Sequence, residues 1–170
     1  MELLYRFNSI LNKGLAFAAG TSLVAMMLVT IGEMVFRIFG KPMAGTVEII
    51  GWLAAATTGF ALGYTQINQG HVSIDLFVRR LNPMTAALLN MIVYFLSTTL
   101  FAAVTWNIFH YAKVLRETGS LSETMNVIVY PWVYLVSLGC FGLTLALFMD
   151  FLKTCGQIFK SLGPKEKQRF

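Results

Sequence analysis

The sequence predicts an all-α integral membrane protein: four transmembrane helices, short interfacial amphipathic helices, and both termini cytoplasmic. Three observations carry that prediction. First, only 12% of the 170 residues are charged while 56% are hydrophobic; soluble domains carry about 25% charged residues. Second, the deficit is concentrated in four windows without Asp, Glu, Lys or Arg: 14–32, 49–74, 81–112 and 124–149, of 19, 26, 32 and 26 residues. A helix needs about 20 apolar residues to cross a ~30 Å hydrocarbon layer, so each window supplies one span and none supplies two. The longest stretch outside the windows is the 21-residue tail, which excludes a soluble catalytic domain. Third, nine Lys and Arg fall on one side of the alternating segments (6, 13, 79, 80, 153, 160, 165, 167, 169) and four on the other (37, 41, 113, 116). Positive residues accumulate on the cytoplasmic side of inserted helices, which puts both termini there. The same distribution explains the net charge of +5 without a nucleic-acid partner.

The elements follow in order. Residues 1–13 place Leu3, Leu4, Phe7, Ile10 and Leu11 on one helical face, with Glu2, Arg6, Asn12 and Lys13 away from it. That spacing suits a helix lying in the membrane interface, and the segment is too polar for a cleavable signal. Span one is placed at about 15–36, and Gly40-Lys41-Pro42 with Ala44-Gly45-Thr46 makes a short outer turn. Span two is placed at about 47–67 and is broken at Gly70. Residues 73–81 form a second amphipathic stretch, in which Ile74, Phe77, Val78 and Leu81 share a face. Asn82-Pro83 opens span three, about 84–106; Gly119, Ser120 and Ser122 supply the turn chemistry of the outer loop; span four is placed at about 128–151, ahead of a cytoplasmic tail at 152–170. Without a repeat, linker or low-complexity tract, residues 1–170 read as a single domain. Trp52, Trp106 and Trp132 fall near the outer ends of three spans, with Tyr111, Tyr130 and Tyr134 alongside, as headgroup-layer aromatics do.

The chemistry of the spans is defined by what they lack. Ionisable groups inside a bundle mark ion and proton pathways, and the four windows hold no Asp, Glu, Lys or Arg. Their mid-span polar residues are hydroxyls (Ser22, Thr57, Thr58, Ser97, Thr98, Thr99), which bond back to their own helix or across to a neighbour. Pro and paired Gly do not interrupt the span centres, as they do in broken substrate-binding helices. His71 and His110 fall on opposite sides of the membrane, so one haem iron cannot hold both. A zinc site lacks further ligands, and nucleophilic triads have no supporting constellation. Cys140 and Cys155 are about 22 Å apart along a continuous helix, beyond disulfide reach. No catalytic residue, metal or cofactor is expected.

One positive packing signal stands in span two. Gly51, Ala55, Gly59 and Gly63 recur every four residues, a spacing that lets another helix backbone approach closely. Three local patterns accompany it. Arg37 closes span one and Glu48 opens span two across a Pro-containing turn; Gly70-His71-Val72-Ser73-Ile74-Asp75 follows span two; Thr124 precedes Tyr130-Pro131-Trp132-Val133-Tyr134 at the start of span four.

In this order and topology, over about residues 15–151, the chain resembles the small membrane (DctQ-like) subunit of tripartite ATP-independent periplasmic (TRAP) transporters. The second pattern is similar to the family's Gly-His-Val-x-(Val/Ile)-Asp segment, and the third to its Thr…Pro-x-Trp pattern, from which it departs in that Trp132 directly follows Pro131. The resemblance implies a bacterial inner-membrane complex. A periplasmic substrate-binding protein delivers an organic acid, and a large multi-span permease subunit carries the substrate and sodium sites. The small subunit braces that partner, in contact with membrane lipid.

On that reading Arg37 and Glu48 pair across the outer hairpin. Gly70 ends span two, and His71 and Asp75 fix the interfacial segment after it. Pro131 takes an early helical position, where its missing N–H costs little, and Trp132 anchors the depth. The outer loops, 40–46 and 113–126, face the periplasmic partner. Two other readings stay open on the residues alone: a small oligomeric four-span exporter, for which Glu33 is the one available acid, and a structural membrane subunit of another complex, such as a respiratory enzyme.

Overall fold

A computed structural model of the chain describes residues 2–67 and 83–162. Four helices make up most of it: α1 (Glu2–Ile38), α2 (Thr46–Ile67), α3 (Pro83–Thr118) and α4 (Tyr130–Leu162). All four are long and apolar enough to cross a membrane. The chain is an all-α, multi-pass membrane protein, and extended pairing among the described residues is limited to an isolated bridge between Leu121 and Ile128.

The helix ends have local causes. Gly40 sits at φ 68°, donating its N–H to Arg37 O at 3.0 Å, while Lys41 N–H reaches Phe36 O at 3.0 Å. That is the Schellman arrangement, in which a left-handed residue lets the chain turn back onto the last free carbonyls, and Pro42 then prevents the helix from continuing. Gly119, at φ 61°, ends α3 in the same way, with Ser120 N–H on Leu115 O at 3.2 Å. α4 opens with Pro131 in its first turn, and Trp132 N–H bonds to Val129 O at 3.1 Å.

Three boundaries differ from the sequence expectation. No break separates residues 2–13 from span one: α1 is one helix of 37 residues, about 55 Å at 1.5 Å per residue. Its expected faces hold in part: Arg6 and Lys13 are exposed and Leu11 packs against the core, but Asn12 is fully buried while Ile10 is 71% exposed. α3 runs twelve residues past Trp106 to Thr118, so Lys113, Arg116 and Glu117 are helical instead of loop. α4 runs beyond residue 151 to Leu162 and takes in part of the expected tail. The reason is shared. Lys, Arg and Glu are good helix formers, so a charge marks where a helix leaves hydrocarbon and does not end it; Gly40 and Gly119 end α1 and α3. Only α2, with 22 residues and about 33 Å, matches the thickness of the hydrocarbon layer.

The helices lie side by side in the order α1, α2, α4, α3, with the principal contacts between neighbours in that row. Contacts fix the directions. Gly59 faces Val136, and Gly63 faces Leu143, so α2 and α4 run parallel. Asn12 meets Gly63 and Gly142, and Phe109 meets Tyr134 while Phe95 meets Phe151, so α1 and α3 run antiparallel to that pair. A compact core of Leu15, Ala19, Ala56 and Phe60 joins α1 to α2. Large apolar side chains such as Phe17, Leu28, Leu96 and Leu100 point outward, where lipid is the solvent.

Candidate functional site

The side chains that give this bundle its geometry form three polar tiers. At the loop end, Glu48 in the first turn of α2 accepts hydrogen bonds from the Ser122 hydroxyl and, at 2.8 Å, from the Thr124 backbone N–H. One carboxylate therefore ties the 119–129 loop to the start of a different helix pair. The loop is braced internally by Ser122 N–H to Val127 O at 2.9 Å and by Asn126 N–H to Ser122 O at 3.2 Å, with Asn126 in the left-handed region at φ 52°. Met125 of this loop lies against Gly45, which holds φ 83° beside it; a side chain at 45 would strike the Met125 thioether. One turn deeper, Trp52 and Trp132 stack with centroids 5.6 Å apart and an interplanar angle of 19°.

The middle tier joins α3 to α4 through hydroxyls. Thr105 Oγ1 and Thr144 Oγ1 are 3.2 Å apart, and Ser137 Oγ lies 3.5 Å from Thr105 O. Other hydroxyls bond back to their own helices, as with Ser22 to Ala18 O at 2.8 Å and Thr98 to Tyr94 O at 2.7 Å.

The terminal-end tier is the most buried. Asn12 Nδ2 donates to Asn8 Oδ1 at 2.8 Å and Asn8 O at 3.0 Å, and it lies 3.5 Å from Gly142 O. Its Oδ1 has no hydrogen-bond partner and rests against Gly63 and Gly142, so three helices meet on one amide. A turn further toward that end, Gln66 Nε2 donates to Asp150 Oδ2 at 3.0 Å, linking the ends of α2 and α4. Lys153 reaches the other Asp150 oxygen at 3.5 Å.

The expected site residues divide against this map. Arg37 and Glu48 do not pair: Arg37 bonds to Glu33, one turn back, at 2.9 Å, while Glu48 turns to the other loop. A neighbour at i, i+4 on the same helix needs no fixed hairpin geometry, whereas Glu48 is met by two donors of a loop folded over it. The small-residue row splits in two. Gly59 and Gly63 are buried against α4 and Asn12, but Gly51 and Ala55 are exposed, with nothing within 4 Å of Gly51. Positions four apart advance about 40° around a helix, so a strict four-residue row drifts off the seam. The contacting row is Ala56, Gly59, Phe60, Gly63 and Gln66. Pro131 is exposed, and Trp132 is half-buried in its stack with Trp52. Gly70, His71 and Asp75 lie outside the described residues.

Sequence reasoning missed the partners Gly139 and Gly142 on α4, which let α2 and Asn12 approach. It also missed Asn8, Asn12, Gln66 and Asp150. Polar residues spaced at helical intervals within apolar runs were the available signal. Among the described residues, no group of three or more His, Cys, Asp or Glu is placed to hold a metal ion, and both cysteines are free.

A family model described as "Tripartite ATP-independent periplasmic transporters, DctQ component" matches residues 26–155. The chain belongs to the DctQ family. The match covers α2, α3, the last part of α1 and most of α4, and with it the loop-end and middle tiers, Gly63, Gln66 and Asp150. Asn8 and Asn12 precede it. Comparison with curated proteins and with solved structures gives no match. DctQ proteins are components of a transporter, and this chain is a TRAP transporter small permease subunit.

Proposed function

We propose that this DctQ subunit sits in the bacterial inner membrane with both termini cytoplasmic. There it acts as the rigid companion of a large sodium-coupled permease subunit, which takes up an organic acid delivered by a periplasmic binding protein. The observation that supports this reading best is the placement of polarity. The tiers serve to hold helices together, while the windows 14–32, 49–74, 81–112 and 124–149 leave the bundle without Asp, Glu, Lys or Arg at mid-depth. A protein that moves a carboxylate and sodium needs such groups or broken helices. A brace needs neither. The 40–46 turn and the 119–129 loop, tied together through Glu48, form the surface available to a periplasmic partner.

Reconstitution tests this directly. Uptake of organic acids into proteoliposomes is expected only when this chain, its large partner and the binding protein are combined, with a sodium gradient and without ATP. Uptake by the chain alone would overturn the reading and favour the exporter, in which case Glu33→Gln should abolish it.

A further inference from the structure

A groove lies between α3 and α4, about 600 Å³ in volume and lined by Thr105, Trp106, Phe109, Tyr134, Phe141 and Thr144 among others. Its hydroxyls are already committed: Thr105 Oγ1 bonds to Phe101 O at 2.7 Å, Thr144 Oγ1 to Cys140 O at 2.9 Å, and Ser137 Oγ approaches Thr105 O at 3.5 Å. With those hydroxyls committed, the rest of the lining is aliphatic or aromatic, with only the Trp106 indole and Tyr134 phenol as further polar groups, so the groove suits a hydrocarbon occupant. On α4 the lining runs from Tyr134 to Thr144, which is about 15 Å at 1.5 Å per residue. That length is half the ~30 Å hydrocarbon core, the depth of one leaflet.

Charge continues the same line. On α3 the groove residues Ala102, Thr105, Trp106 and Phe109 are followed, in steps of three and four, by Lys113 and Arg116. Such steps keep one helical face, so two cations stand one and two turns beyond the aromatic mouth of the groove. Lys113 is exposed and holds Glu117 only at 3.9 Å, a surface contact that a phosphate can displace. Arg116 is exposed and makes no ion pair among the described residues; its guanidinium is suited to bidentate phosphate binding.

We propose that this groove seats one acyl chain of an anionic phospholipid from the leaflet at the loop end, with Lys113 and Arg116 holding the headgroup phosphate. Trp106, 71% exposed beside the groove, flanks the chain. The site belongs to this subunit alone and does not depend on which substrate or partner the complex serves.

The test uses the full chain in nanodiscs of phosphatidylglycerol and phosphatidylcholine, followed by native mass spectrometry of lipid retained after mild detergent extraction. The wild type should retain one phosphatidylglycerol, about tenfold over phosphatidylcholine. Lys113→Gln with Arg116→Gln should bring the two lipids near parity. Arg37→Gln with Lys41→Gln, which removes cations from the other hairpin, should leave the preference intact. Ala102→Phe should fill the groove and end retention of both lipids.

A second readout avoids any folding defect in that variant. With Trp52→Phe and Trp132→Phe leaving Trp106 as reporter, chain-brominated phosphatidylglycerol should quench its fluorescence several-fold more than brominated phosphatidylcholine, and the Lys113/Arg116 double variant should remove that difference. Equal retention and quenching by both lipids in the wild type would overturn the proposal. So would a loss of preference caused equally by the Arg37/Lys41 variant, or a helix of the large subunit found crosslinked in the groove with no lipid present.

Discussion

Substitution of Gly139 by Ala tests whether the α2–α4 seam is the structural centre of this bundle. A Cβ at 139 would stand 2.5 Å from Gly59 O and 2.9 Å from Phe60 N, both backbone atoms of α2. Gly59 C lies nearer still, and ordinary contact begins at 3.4 Å, so the two helices must separate by about 1 Å. No side-chain rotamer can relieve the overlap, because the colliding atoms are the helix itself. Overpacking of this kind costs about 1–3 kcal/mol, or roughly a 5- to 150-fold fall in the ratio of folded to unfolded protein. Gly59→Ala is the graded comparison: its Cβ meets Val136 O at 3.4 Å and Val136 Cα at 3.5 Å, at the edge of normal contact, and should cost much less. Gly51→Ala meets nothing within 4 Å and should be neutral or slightly stabilising through helix propensity. The assay is denaturation in mixed detergent micelles, followed by the fluorescence of the Trp52–Trp132 stack, which spans the same seam one to two turns away. The predicted order of stability is Gly51→Ala, then Gly59→Ala, then Gly139→Ala. A Gly139→Ala protein as stable as Gly51→Ala would refute the close approach and with it the register of α2 on α4.

Three further outcomes follow from the polar tiers. Glu48→Gln removes the charge that receives the Ser122 hydroxyl and the Thr124 N–H; hydrogen exchange at the Thr124 amide should accelerate several-fold, with α3 and α4 protection unchanged. Arg37→Ala breaks an i, i+4 contact whose Arg37 end is exposed and whose Glu33 end is mostly covered; it should lower the denaturation midpoint slightly and leave exchange at the Thr124 amide unchanged, whereas a pairing of Arg37 with Glu48 would have made the two variants behave alike. Asn12→Ala loses a buried interhelical amide and should destabilise by about 1 kcal/mol, the usual scale of polar contacts between membrane helices. Asn12→Leu should be worse, because a branched side chain must fit against Gly63 and Gly142; an Asn12→Leu protein more stable than wild type would show that α1 docks by apolar packing instead.

The four spans were legible because hydrocarbon thickness imposes a length that charge spacing records directly, and the Gly40 and Gly45 turn was legible because only special backbone conformations close so short a connection. The inward faces were harder to read for a physical reason. The apolar face of the first thirteen residues predicts a helix lying in the membrane interface with Asn12 away from that face, and such a pattern does not say which residues meet another helix. In hydrocarbon the outward solvent is itself apolar, so Leu and Phe gain nothing by turning inward, and helix pairing rests on small residues and on polar groups that need partners. The buried positions follow that inverted rule: Asn8, Asn12, Gln66 and Ser137 lie inside with Gly59, Gly63, Gly139 and Gly142, while Phe17, Leu28 and Leu96 face out. The same reasoning explains why the Gly51 row failed halfway. A four-residue period holds a straight helix seam for only about two turns, after which the contacting face passes to the next column, here Ala56 and Phe60. The exposed Gly51 and Ala55 thus remain free of this chain's own packing and available to lipid or to a second membrane subunit. Crosslinking from Ala55→Cys to the large subunit would distinguish those two neighbours.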